Sequence, residues 1–178
     1  MTDRFTVRQS VFDAVADSGP GELPGRLCRL LCAELDLDAV AISLLSHTPY
    51  RQVYAASDAT ALRVAELQFE LLEGPSVRAS AHGRPVVVPD LHGGDRRWPA
   101  FGARAREELP EAGAVYAFPM RFRRRVLGAV CMVRRTPGSL TGAGYERCAI
   151  AADAVAVALL DDFHRLFHRT VPHPRSPD

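Results

Sequence analysis

The sequence predicts an α+β domain: an antiparallel sheet with helices packed against it. Three observations carry this. Apolar residues recur at helical spacing near both ends of the chain. Short apolar runs of strand length lie between them. The runs that pair are joined by tight turns, not by crossover helices. At 178 residues and 47% hydrophobic content, the chain can bury a core of its own.

Val7, Val11, Phe12 and Val15 define a first amphipathic helix, broken by Ser18-Gly-Pro-Gly. Leu23, Leu27, Leu30 and Leu31 share one face of a second, which ends at Asp36-Leu-Asp. Residues 39–45 read as a buried strand, His47-Thr-Pro-Tyr-Arg as a turn, and Gln52-Val-Tyr-Ala-Ala as a returning strand. Helical spacing resumes over 59–72 and stops at Glu73-Gly-Pro, where Pro75 can open a short helix. Arg84-Pro-Val-Val-Val-Pro is a strand closed by proline at both ends, which suits a short edge position. A Gly-rich loop and a helix from Trp98 to Leu109 follow. Residues 114–120 and 126–133 flank Arg121-Phe-Arg-Arg-Arg and form the clearest hairpin. Thr141 can cap a long final helix. Its residues Tyr145, Cys148, Ala152, Val155, Leu159, Phe163 and Leu166 form a seam for another helix. The reading is an N-terminal helical extension over 1–20, a domain over 21–165, and a disordered tail over 166–178 with three prolines after Thr170.

The net charge of +1 gives no bulk attraction to nucleic acid or to an anionic membrane. Every basic side chain besides histidine is Arg; Lys is absent, as codon bias produces. No apolar run approaches a membrane span and no signal segment opens the chain, so a cytoplasmic location is expected. Cys28, Cys32, Cys131 and Cys148 lack a disulfide framework and read as reduced, small core hydrophobes. The six histidines are scattered, and neither metal nor haem is expected. The sequence has no Gly-x-Ser-x-Gly elbow, phosphate-binding loop or His-Glu-x-x-His helix. Asp90 and Asp95 flank a Gly-rich loop without an obvious nucleophile nearby.

Three stretches in register resemble the GAF domain family, in the actinobacterial type found ahead of an RNA-binding ANTAR domain. They are Glu66-Leu-Gln-Phe-Glu-Leu-Leu-Glu-Gly-Pro-Ser-Val, Gly83-Arg-Pro-Val-Val-Val-Pro-Asp-Leu, and the run from Phe118 through Met132 to Pro137-Gly-Ser-Leu-Thr. The resemblance implies a sheet of about six strands with the terminal helices on one face. It implies a ligand hollow on the other face, beneath the 57–110 excursions, and a homodimer through the terminal helices. Ser76 stands where the family often has cysteine, so a thiol role there is absent. No RNA-binding domain follows the final helix, so direct nucleic-acid binding is not expected and output passes through a partner protein.

The expected role is a non-catalytic sensor for a small molecule, relaying its signal through dimerisation and a partner. The alternatives are a scaffold with a filled core and no ligand, and a thiol enzyme or sensor resembling methionine sulfoxide reductases. Candidate ligand residues are Phe69, Gly74, Ser76, Asp90, Trp98, Phe101, Tyr116 and Phe118. The amides after Pro75 are read either as an anion site or as a plain helix-to-helix turn. Trp98 reads as a lid aromatic or as the single anchor of a surface helix. Tyr116, Phe118 and Met120 point one way from their strand, Val115 and Ala117 the other. The expected dimer seam is Val11, Val15, Val155, Leu159 and Phe163.

Overall fold

The structure, a computed structural model, describes residues 3–45 and 52–170. The elements run α1 (Asp3–Asp17), α2 (Leu23–Leu35), β1 (Ala39–Leu44), β2 (Gln52–Ala56), α3 (Ala59–Leu71) and α4 (Pro75–His82). They continue with β3 (Val86–Val88), α5 (Pro99–Glu108), β4 (Ala114–Phe122), β5 (Arg125–Arg134) and α6 (Gly142–Thr170). The expected turn at residues 47–51 and the tail beyond Thr170 lie outside the described residues.

The local signals act where the sequence puts them. Asp36 adopts the left-handed conformation and ends α2. The Asp58 carboxylate accepts the Ala61 amide at 2.8 Å and opens α3. Thr141 Oγ1 accepts the Gly144 amide at 3.2 Å and opens α6. Pro85 and Pro89 confine β3 to three residues, and it is an edge strand. Among the described residues the sheet has five strands, one fewer than expected, in the order β2-β1-β5-β4-β3. Every pairing is antiparallel.

Alternation along the strands sorts side chains onto two faces. Val40, Ile42, Tyr116, Phe118, Met120, Val130 and Met132 face α2 and α6. Helix α1 lies outside these as a further layer, packing on α6 and α2. The small residues Ala151, Ala152, Ala154, Ala156 and Ala158 are buried along α6, which lets the sheet approach one side and α1 the other. The exposed carbonyls at the end of α1 find donors. Arg26 Nη1 donates to Asp17 O at 3.0 Å, Arg165 Nη1 to Val15 O at 3.3 Å, and Ser18 Oγ to Ala14 O at 2.6 Å.

The opposite face carries Ala39, Ala41, Ser43, Val115, Ala117, Ala129, Cys131 and Val133. Helix α3 lies over β1, β2 and β5, and α4 over β3, β4 and β5. Helix α5 is the outermost layer; among the helices and strands it approaches α3 alone. Arg63 on α3 clips it by donating from Nε to Glu108 at 2.7 Å while holding Glu70 at 2.6 Å.

Candidate functional site

The excursion face is built around a buried amide. Gln68 continues the inward stripe of Ala61, Val64 and Ala65 on α3 and is 0% exposed. Its Nε2 donates to Val64 O at 3.0 Å, and its Oε1 accepts the Ser76 amide at 2.7 Å. The first turn of α4, where a ligand anion is one expectation, is thus served by an internal carbonyl. Gly74 makes this possible. Its φ is +124°, and a Cβ there would stand 2.6 Å from Gln68 Cγ. Gln68 Nε2 also lies 3.6 Å from Cys131 Sγ on the central strand. Ser76 Oγ is buried without a hydrogen-bond partner of sound geometry among the described residues.

Apolar side chains pack beneath the excursions. Trp98, at the N-cap of α5, is only 7% exposed and packs with Phe101, Leu67, Leu91, Val115 and Val133. Glu73 Oε2 accepts the amides of Ala100 and Phe101 at 3.0 and 3.1 Å, so a carboxylate already occupies the N-terminus of α5. Trp98 is thus one of several buried residues that fix α5, with Phe101 and Ala105.

An open groove of about 480 Å³ runs along the outer edge of β3. Val86 points to the excursion face and Val87 to the helix-backed face, yet both line it, so the groove follows the strand edge itself. Arg78 and His82, one turn apart on α4, form one wall; Arg84, Pro85 and Arg97 complete it. The Arg97 guanidinium stacks 4.4 Å from the centre of the Trp98 ring and holds Asp95 at 2.6 Å. That contact keeps the Asp95 carboxyl below its usual range. Among the described residues, no carboxylate pairs with Arg78 or Arg84.

The GAF domain family matches residues 24–167. The chain belongs to the GAF domain family. GAF domains are typically sensory and regulatory domains in signalling proteins. The fold is similar to the GAF domain of an Acinetobacter phosphoenolpyruvate-protein phosphotransferase: 13% identity, 97% of this chain, 98% of that one, TM-score 0.67. It is similar to a domain of a two-component sensor histidine kinase protein from Sinorhizobium meliloti: 14% identity, 87% and 100% covered, TM-score 0.66. It is also similar to free methionine-R-sulfoxide reductase from Neisseria meningitidis: 12% identity, 89% of each chain, TM-score 0.66. These likenesses show the shared fold. No curated protein matches the sequence.

Within this GAF domain the expected ligand residues are divided by the sheet. Ser76, Gly74, Trp98 and Phe101 are buried on the excursion face. Tyr116 and Phe118 point to the opposite face and cannot line one pocket with them. The alternation along β4 holds, but the face that each set of residues serves is the reverse of the expected one. Tyr116 OH donates to Gly138 O, and the Phe118 ring meets Tyr145 edge-on at 5.1 Å. Phe69 is half-buried on α3. Asp90 is exposed and accepts the His92 amide at 3.0 Å; Asp95 serves Arg97, so the two carboxylates do not act as a pair.

The seam on the terminal helices is also spent internally. Val11, Val15, Val155 and Leu159 are buried in one protomer, among α1, α2, α6 and the sheet; Phe163 is 56% exposed. As seam residues between two copies, the first four are corrected: spacing of three and four specifies helix packing, and α1 supplies the partner.

The four thiols sit in desolvating surroundings. Burial, with Cys32 nearby, pushes Cys28 up to about 12, and burial pushes Cys148 up to about 11. Burial likewise raises Cys32, and it raises Cys131, where the Ser76 hydroxyl and Gln68 amide offset part of the rise. A thiol held up in this way is a poor nucleophile at neutral pH. Among the described residues, no three His, Cys, Asp or Glu side chains gather as metal ligands. Among them, too, no helix is long and apolar enough to cross a membrane.

Sequence reasoning missed Gln68, Glu73 and the β3 groove. The available signal for Gln68 was a polar residue one turn after Val64 on an otherwise apolar stripe.

Proposed function

We propose that this GAF domain is a non-catalytic sensing module. A small molecule occupies the groove between α4 and β3, biases the α3–α5 layer, and a partner protein reads the change. The groove carries the reading: it is open and lined by the polar groups of Arg78, His82, Arg84 and Arg97. Relay through a homodimer fits the same reading, provided the contact uses side chains other than Val11, Val15, Val155 and Leu159.

The test is a screen of small molecules of mixed charge, read by amide shifts of the labelled protein. The expected hits move the amides of residues 78–88. If no compound of any class moves them, the sensing reading fails. Thiol chemistry is the competing reading, prompted by the likeness to sulfoxide reductases. Slow labelling of all four thiols in the native protein is expected; one rapidly labelled thiol would favour the competitor.

A further inference from the structure

We propose that the α4–β3 groove recognises a compact organic dianion, carried on two or more carboxylate or phosphate oxygens. The inference rests on the sensing reading above and adds the chemistry of the ligand. Charge counting leads to it. Arg78 and Arg84 enter the groove without a carboxylate partner among the described residues, whereas Arg97 is already held by Asp95. Two uncompensated guanidiniums match two negative charges, and each can bind a planar or tetrahedral oxyanion through a fork of donors. His82 adds a ring nitrogen on the same wall.

The other lining groups fix the size and the non-charged part of the ligand. The volume of about 480 Å³ suits a small molecule. Pro85, Val86 and Val87 offer an apolar strip for a short carbon skeleton. Because β3 is an edge strand with β4 on its inner side, its outer backbone groups border the same space. The groove has its own reporter. Trp98 is the sole tryptophan, and the Arg97 guanidinium lies on its ring. A dianion drawing Arg97 inward changes the environment of the indole.

The full chain is titrated at low salt with succinate, with inorganic phosphate, and with dimethyl succinate as the uncharged control. Trp98 fluorescence and amide shifts of residues 78–88 are followed. At least one dianion is expected to saturate the signal, with affinity that falls as salt is added. Saturation by succinate alone assigns a carboxylate source; saturation by phosphate alone assigns a phosphate source. The exposed pair R78S/R84S is expected to stay folded by circular dichroism and to bind at least tenfold more weakly. D95N releases Arg97 from its partner and is expected to bind more tightly than the unaltered chain. Equal binding by R78S/R84S, or equal binding of dimethyl succinate, overturns the proposal. An uncharged compound that moves residues 78–88 where neither dianion does defeats the ligand class but leaves the sensing reading standing. No response to any compound defeats both.

Discussion

The two faces of the sheet are both covered two helices deep, yet the strands contribute large side chains to only one of them. On the helix-backed face the strands supply bulk of their own, through Ile42, Tyr116, Phe118, Met120 and Met132, which meets Leu23, Leu27 and Leu31 of α2. On the excursion face the strands contribute mostly Ala, Ser, Cys and Val, and the bulk arrives on helices as Leu67, Gln68, Trp98 and Phe101. A face filled in part from rigid strands is largely fixed once the sheet forms. A face filled from short helices can loosen without breaking the sheet. The difference predicts that the two faces open locally at unequal cost.

The comparison can be broken most severely at α6. Val155→Asp places a charge in the helix-backed core and is expected to cost about 4 kcal/mol or more, by urea unfolding. A folded chain that merely changes its association state would mean that Val155 serves a contact between copies. Next in size, Phe118→Ala is expected to cost about 3–5 kcal/mol. Phe101→Ala, equally buried but on the outermost helix, is expected to cost less because α5 can settle into the space. Equal losses would erase the distinction between the faces.

Gly74→Ala is expected to cost about 2 kcal/mol, through positive φ and collision with Gln68. Adding Gln68→Ala removes the collision, so the double variant should lose less than the two single losses together. Strict additivity would show that Gln68 and Gly74 do not constrain one another. The smallest effect belongs to Arg63→Ala, a half-buried clip between α3 and α5. Hydrogen bonds from Arg63 hold Glu70 and Glu108 below their ordinary values. Their contribution is therefore present above the usual carboxylate range and lost as pH falls below it, through the lowered values of the folded chain. The thermal midpoints of the variant and the unaltered chain should converge in acid.

Much of the architecture was legible because its punctuation is covalent. Pro85 and Pro89 bound β3, Gly74 and Pro75 separate α3 from α4, and Thr141 opens α6. Alternation placed Tyr116, Phe118 and Met120 together, but a period of two cannot say which face the terminal helices cover. The seam on α6 was equally readable as a helix contact, while its spacing carries no information about whose helix fills it. The groove was hidden for another reason. Arg78, His82, Arg84 and Arg97 converge only after α4 folds back beside an edge strand, and no local pattern marks them.

Native-state hydrogen exchange tests the contrast between the faces most directly. The account predicts that amides of α4 and α5 exchange through a low-energy local opening, while those in the middle of α6 and β5 exchange only on global unfolding. A groove ligand should slow α4 and α5 and leave α6 unchanged. Uniform exchange across both faces, or slowing confined to α6, would contradict it.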